Sequence, residues 1–292
     1  MARTRILRQL FLDSFRSVPP APHRPTPASW SNEKITGACL GHSTVLLNFL
    51  GSWVLTDPVF SMRAGPGWSP FVLGPKRYLR PALSIRELPK IDLIVLSHAH
   101  FDHFDLSSLR HFPRDTQIVT ARHTSDLLRR FHHVHELHWN QTLTLKLQSG
   151  SIAITGIEVK HWGARMLRDE HRGYNGYVLE KSGRRVFYSG DTAMTDAFRH
   201  LGANGQNIDL ILMPIGAYDP WIRAHCNPEQ AHAMAEAAGA KHFVPVHHQT
   251  FKLSSERMDE PAHRIRAAFA SEPERLLSVD VGETFVVPIP AA

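Results

Sequence analysis

The stretch Ile91-Asp92-Leu93-Ile94-Val95-Leu96-Ser97-His98-Ala99-His100-Phe101-Asp102-His103 decides how this chain is read. Its first half is a short, nearly continuous apolar run, the pattern of a strand buried on both faces. Its second half sets three histidines and an aspartate just beyond that strand, where the chain can turn and bring side chains to one point. In extended backbone, residues two apart project to the same side, so His98 and His100 can share an ion. Asp102 and His103 follow one turn later and can face an adjacent ion. Imidazole nitrogens with a carboxylate oxygen suit zinc, and such a set leaves coordination positions open for water.

Three further polar residues stand where additional ligands would be needed. His161, Asp191 and His247 each follow an apolar, strand-like run: Ile152–Val159, Val186–Tyr188 and Phe243–Val246. Asp191 is the most specific of them, because Gly190 permits a tight turn that presents the carboxylate. A carboxylate has two oxygens and can bridge two cations, as in hydrolases whose metals lie about 3.5–4 Å apart. Not every histidine of the 20 in the chain reads this way. His132, His133, His135 and His138 lack a carboxylate at a matching spacing and are assigned to a strand surface.

Working outward, the pattern predicts strands at Thr44–Phe49 and Ser52–Leu55, joined by a Leu50-Gly51 turn, and at Ile91–Leu96. Gln117–Thr120, Ile152–Ile157, Tyr177–Leu179, Val186–Tyr188, Ile208–Pro214 and His242–Val246 continue the series. A helix is predicted over Asn227–Ala238: Asn227 caps it, Pro228 suits the first turn, Gln230 completes a capping box and Gly239 ends it. Strands interleaved with helices indicate an α/β architecture.

The 292 residues carry 42% apolar and 21% charged side chains, ordinary for a globular enzyme. The formal net charge of +6 favours anionic substrates or surfaces. No basic stretch interleaved with aromatics points to nucleic acid, so no nucleic-acid partner is expected. Two cysteines, Cys39 and Cys226, make no disulfide framework and are read as reduced thiols of a cytoplasmic protein. No apolar run reaches the roughly 20 residues of a transmembrane helix. Residues 1–17 place Ile6, Leu7, Leu10, Phe11 and Phe15 on one helical face among arginines. That is the pattern of a helix lying peripherally on an anionic membrane, or of one packed on the domain. The proline-rich residues 18–29 read as a linker or extended wrap, dividing the chain into an N-terminal segment, 1–29, and a hydrolase domain, 30–292.

With these residues in view, His98-x-His100-x-Asp102-His103 followed by His161, Asp191 and His247 resembles the signature of the metallo-β-lactamase fold. The likeness is closer still to the N-acylphosphatidylethanolamine-hydrolysing phospholipase D-like family and its bacterial relatives. It rests on Leu40-Gly41-His42-Ser43-Thr44, Thr56-Asp57-Pro58-Val59-Phe60, Gly74-Pro75-Lys76-Arg77, His161-Trp162 and Gly190-Asp191-Thr192. Pro214-Ile215-Gly216-Ala217-Tyr218, Asn227-Pro228-Glu229-Gln230-Ala231 and His247-x-x-Thr250-Phe251 complete it in unbroken order.

The resemblance implies a four-layer αβ/βα sandwich and a dinuclear centre of two Zn2+, a ligand set that also accepts Mn2+ or Fe. It implies His98, His100 and His161 on one ion, Asp102, His103 and His247 on the other, and Asp191 between them. It also implies a substrate contact at His225, and catalytic roles for Asp102, Asp191 and His225. Three departures bear on substrate. Phe101 stands where the phospholipase carries a tyrosine near substrate; Arg172-Gly173-Tyr174-Asn175-Gly176-Tyr177 replaces a tryptophan-rich stretch; and His248-Gln249 replaces an aromatic-Gly pair. Arg77 and Arg165 are either contacts for an anionic substrate or solvated surface residues. The expected activity is hydrolysis of a lipid or small-molecule phosphodiester, an N-acylphosphatidylethanolamine-like phospholipid first. Lactone opening, cyclic-nucleotide hydrolysis and metal-dependent sensing without turnover are the alternatives.

Overall fold

The computed structural model describes residues 15–67, 72–166, 168–202 and 207–288. Most of the amphipathic segment read at 1–17 therefore lies outside the described residues. Among the described residues, thirteen strands form two sheets. The first runs β1 (Ile35–Gly41), β2 (Thr44–Phe49), β3 (Ser52–Thr56), β4 (Leu93–Leu96), β5 (Gln117–Ala121) and β6 (Val134–Leu137), with β13 (Thr284–Val286) beside β1. The second comprises β7 (Thr142–Leu147), β8 (Gly150–Ile157), β9 (Gly176–Lys181), β10 (Arg184–Tyr188), β11 (Leu210–Pro214) and β12 (Phe243–Val246), spatially adjacent in that order.

The apolar runs are continuous because both faces of each sheet are covered. Leu93 and Val95 of β4 point into the shared inter-sheet core with Leu210 and Leu212 of β11. Their neighbours Ile94 and Leu96 face an outer layer with Phe104, Leu109 and Leu128. Ile211 and Met213 face the opposite outer layer, where helices α2 (Pro228–Ala237) and α3 (Glu260–Ala268) contribute Ala231, Met234, Ala235, Ala262 and Ile265. The layering is that of the predicted sandwich, the metallo-β-lactamase fold. One outer layer differs in build, since it holds the single turn α1 (Leu106–Leu109), short 3-10 turns and loops instead of long helices.

The cap read for α2 is present: Asn227 Oδ1 accepts from Gln230 N at 2.9 Å, and Gln230 Oε1 accepts from Asn227 N at 3.2 Å. Cys39 and Cys226 are free and buried. The proline-rich stretch lies along the domain, with Val18 buried, Arg80 donating to the Val18 carbonyl, and His23 N donating to Val281 O. Arg77 corrects the sequence reading. It is fully buried, donating from Nη1 to Val59 O (2.7 Å) and from Nε to Leu79 O (3.1 Å). It is a pin under the β1–β2 turn, neither a surface residue nor a substrate contact. Gly41, with φ +130°, has no room for a side chain there, because a Cβ would meet Arg77 Nη2 at 2.5 Å.

Candidate metal centre

Topology puts the predicted ligands on one edge. β3, β4, β5 and β6 run parallel, as do β10, β11 and β12. β8 shares the direction of β10 because both are antiparallel to β9. The C-terminal ends of β4, β8, β10 and β12 thus open on the same side, and there the chain releases His98–His103, His161, Asp191 and His247 respectively. Gly190 is required at its place: its φ is +59°, and a Cβ would lie 2.6 Å from Ser97 Cβ.

Two groups of ligand atoms result. His98 Nε2 and His161 Nε2 lie 2.8 and 3.3 Å from His100 Nδ1. In the second group, His247 Nε2 and His103 Nε2 lie 3.4 and 3.7 Å from Asp102 Oδ2. Asp191 Oδ2 stands between the groups, 3.1 Å from both His103 Nε2 and His247 Nε2, 3.8 Å from His161 Nε2 and 3.9 Å from His98 Nε2. Ligand atoms around a tetrahedral ion with bonds of about 2.0–2.1 Å sit roughly 3.3 Å apart, close to these spacings. Both Asp191 oxygens, His103 Nε2 and His247 Nε2 are buried without an aligned hydrogen bond. Buried polar atoms of this kind are costly unless something polar meets them, and a divalent cation would do so here. The residues therefore fit a metal pair.

The electrostatics agree. Burial opposes charge on Asp191 and Asp102, but the facing histidines, His103 above all, hold both carboxyls well below the usual range. Burial likewise opposes charge on His247, yet Asp191 and Asp102 raise it to about 9. His103 is raised for the same reason, with Asp191 as the main partner. The two carboxylates call for positive charge, which protons or divalent ions can supply. His98 and His161 are instead held neutral by burial, as ligands must be.

His225 sits just before the α2 cap, its Nδ1 3.7 Å from Asp191 Oδ2, its ring 5.0 Å from that of His161 and 5.3 Å from that of His247. Burial pushes it down to about 4, so it stays neutral. Phe101, between two ligands, stacks under the Arg165 guanidinium at 4.0 Å. Arg165 is half-buried and not a solvated surface residue: its Nη1 donates to Ala99 O (2.9 Å) and Phe104 O (2.8 Å), so it clamps the backbone of the ligand loop. His132, His133, His135 and His138 flank or lie on β6, where His135 bonds Gln117 and His132 bonds Asp115, as a strand surface would. Beside His161, Trp162, Arg165, Met166 and Tyr174 line a cleft of about 670 Å³.

Comparison with known proteins is consistent with this geometry. The model of the beta-lactamase superfamily domain matches residues 52–248, more than half of the chain. The chain belongs to that superfamily. The likeness to N-acylphosphatidylethanolamine-hydrolysing relatives also holds: the N-acyl-phosphatidylethanolamine-hydrolyzing phospholipase D 1 of Caenorhabditis elegans is 29% identical over 264 residues, 84% of this chain and 73% of that protein. An uncharacterized protein of Mycobacterium tuberculosis is 33% identical over 260 residues, 86% of this chain. The chain spans 66% of that relative's length. Among solved structures, Igni18, a metallo hydrolase of Ignicoccus hospitalis, has a TM-score of 0.65 at 19% identity, covering 88% of this chain and 99% of its own. The protein has the metallo-β-lactamase fold.

In this superfamily member, sequence reasoning missed the residues that orient the candidate ligands. Asp57, just past β3 with φ +30°, accepts from Ser97 N (2.7 Å), Ser97 Oγ (2.5 Å), Tyr188 OH (2.5 Å) and His103 Nδ1 (2.6 Å). With its Nδ1 proton given to Asp57, His103 turns Nε2 toward Asp191. Ser97 Oγ lies 2.9 Å from His98 Nδ1, and Ala224 O lies 2.9 Å from His161 Nδ1, leaving each Nε2 for the centre. His42 lies 2.9 Å from Asp102 Oδ2 through Nε2. The available signal for Asp57 was an acidic residue directly after a buried strand; His42 offered only its place in a hairpin turn.

Proposed function

We propose that this protein is a dinuclear zinc phosphodiesterase acting on a phospholipid of the N-acylphosphatidylethanolamine type. His98, His100 and His161 would hold one ion, Asp102, His103 and His247 the other, with Asp191 shared. The observation that carries this reading is the Asp191 Oδ2 atom, buried, without an aligned hydrogen bond and within 3.1–3.9 Å of four imidazole nitrogens drawn from both groups. A bound pair of such ions lowers the pKa of a water toward about 7 and neutralises charge developing on a phosphoryl oxygen.

The chain's own residues supply the rest. His225, kept neutral by burial, retains one N–H to donate to a phosphoryl or leaving oxygen beside Asp191. Arg165 and Phe101 keep the ligand loop in place from outside. The surroundings favour a lipid over a small soluble ester. Of the nine large apolar side chains exposed among the described residues, five lie on three loops at the mouth: Trp162, Met166, Met194, Trp221 and Ile222. Backbone bonds join those loops, from Ala193 N to Lys160 O and from Cys226 N to Thr192 O. The C. elegans relative bears the name of an enzyme for this substrate class.

Among the described residues no helix is long and apolar enough to cross a membrane. Contact with the bilayer is accordingly proposed as peripheral, through residues 1–17; their deletion should weaken binding to anionic vesicles and spare a soluble substrate. The test of function sets bis(p-nitrophenyl) phosphate, N-acylphosphatidylethanolamine vesicles and a simple lactone side by side, with elemental analysis. Two ions per chain and cleavage of both phosphodiesters are expected. Lactone opening without phosphodiester cleavage, or fewer than two ions at saturation, would overturn the reading.

A further inference from the structure

Hairpin β1–β2 contributes no ligand to the proposed centre, yet its turn reaches the centre's floor. At the turn, His42 adopts a left-handed backbone, φ +57°, and is 1% exposed. Its backbone N–H donates to Thr250 Oγ1 at 2.6 Å, and its carbonyl accepts from His247 N at 3.0 Å. Its ring lies against the His247 ring, centroids 4.1 Å apart, and edge-on to His103 and Phe251 at 5.3 and 5.1 Å. Its Nε2 reaches Asp102 Oδ2 at 2.9 Å.

One residue thus touches all three members of the second ligand group, Asp102, His103 and His247. Among the described residues it forms no hydrogen bond, ion pair or ring contact with His98, His100 or His161. Those three are oriented by separate groups: Ser97 for His98, Ala224 O for His161, and the Trp162 ring for His100 at 4.7 Å. Asp57 serves both groups, through Ser97 and through His103, whereas the contacts of His42 fall on the second group alone.

We propose that His42 is a positioning residue specific to the second ion: by donating to Asp102 and bracing His247, it sets the affinity of the Asp102/His103/His247 group alone. This rests on the dinuclear reading above. A carboxylate free to rotate can present either oxygen or swing toward solvent, and Asp102 is the most exposed of the three, its side chain 16% accessible against 0% for His103 and His247. A hydrogen bond from a neutral imidazole fixes the rotamer without competing for charge. Loss of such an outer partner typically lowers metal affinity by about 10–100-fold.

The experiment titrates metal-free wild type, His42→Ala and His42→Gln with Zn2+ against a chromophoric chelator, with melting curves alongside. Wild type should bind two ions. His42→Ala should bind one as wild type does and the other about 10–100-fold more weakly, and His42→Gln, whose amide can still donate to Asp102, should recover much of the loss. If His42→Ala does not fold, Thr250→Val serves in its place: it removes the acceptor for His42 N–H and should weaken the same ion less severely. Wild-type affinity for both ions in His42→Ala would overturn the proposal, and so would equal weakening of both. Failure of His42→Gln to recover while folded would make His42 itself a ligand and would also overturn it. Should wild type bind fewer than two ions, the dinuclear reading itself has failed, an outcome distinct from all of these.

Discussion

Replacing Asp57 with asparagine is the sharpest test of how the ligand edge is built. Four donors converge on its two oxygens, one on Oδ1 and three on Oδ2. Asparagine keeps one oxygen, and the least costly placement leaves that oxygen on the Oδ2 side. Ser97 N–H then faces an amide NH2, an unsatisfied buried donor costing about 1–3 kcal/mol. The three remaining bonds lose their charge assistance, roughly 1 kcal/mol each. A lower desolvation cost for the neutral amide offsets part of this, leaving a loss of about 2–5 kcal/mol. An unfolding entropy of about 2.1 cal/mol/K per residue converts that, for a chain of this length, into a fall in Tm of roughly 3–8 °C. Because His103 loses the carboxylate that fixes its ring, zinc affinity should fall about 10–100-fold. Differential scanning fluorimetry of metal-free protein and chelator competition read the two effects separately. A Tm and a zinc affinity both indistinguishable from wild type would refute the claim that Asp57 organises the edge.

Asp191→Ala and His100→Ala should each give a folded protein that has lost metal and phosphodiesterase activity; full metal content with normal turnover in either, by elemental analysis and assay, would overturn the ligand assignment. His225→Ala should keep its metal while kcat/KM for bis(p-nitrophenyl) phosphate falls by about 10²–10³, the size of effect seen when a donor to a developing charge is removed; metal loss would instead move His225 among the ligands. Metal-free protein should be most stable near pH 6.5 to 7. Burial pushes His225 and His248 to about 4 and His42 to about 3, so the stability these contribute is present above pH 6.5 and lost as pH falls toward 4 and 3. Raised to about 9 by Asp191 and Asp102 against the effect of burial, His247 contributes stability below pH 6.5 that is lost as pH rises to 9. Zinc should remove that alkaline limb, since its ligands bind deprotonated; identical Tm–pH curves with and without zinc would contradict it.

Much of the fold was legible because the strands facing both layers leave no polar gaps, as at Leu93–Leu96 and Leu210–Pro214. The strands that were missed broke that pattern for local reasons. β1 carries Gly37, where a Cβ would meet Phe285 and Leu47 side chains at 2.5 and 2.6 Å, so close packing is served there by a residue that reads as a breaker. β7 is an edge strand, partly exposed along its length, and β13 has three residues. The predicted Ile208–Pro214 strand begins at Leu210, after an isolated bridge between Ile208 and Ala240. The site residues at 98–103 could be read because metal chemistry uses a dense local spacing that sequence displays directly, whereas His161, Asp191, His225 and His247 join them only where the strand ends meet. Arg77 was misplaced for the opposite reason. A guanidinium satisfied by carbonyl oxygens leaves no partner of opposite charge for the sequence to show.

What stayed hidden at the site is a matter of backbone. Each strand reaches the common edge pointing along the sheet, and a side chain has to be turned aside there to meet its neighbours. His42, Asp57 and His247 all make that turn with positive φ, at +57°, +30° and +60°. For residues with a Cβ this conformation costs on the order of 1–3 kcal/mol apiece. Glycine would relieve the strain, as it does at position 190, but glycine has no imidazole or carboxylate to deliver. The strain is instead held by bonds that reach across the sandwich: His42 N to Thr250 Oγ1, Asp57 N to Val95 O, and His247 N to His42 O. Each of these ties one strand end to another, so the turned residues support one another. No local sequence pattern announces a non-glycine residue with positive φ. The ligands at 98–103 could be read from spacing, whereas Asp57 and His42, present in the sequence only as members of family-like blocks, gained a role once the strand ends had been brought together.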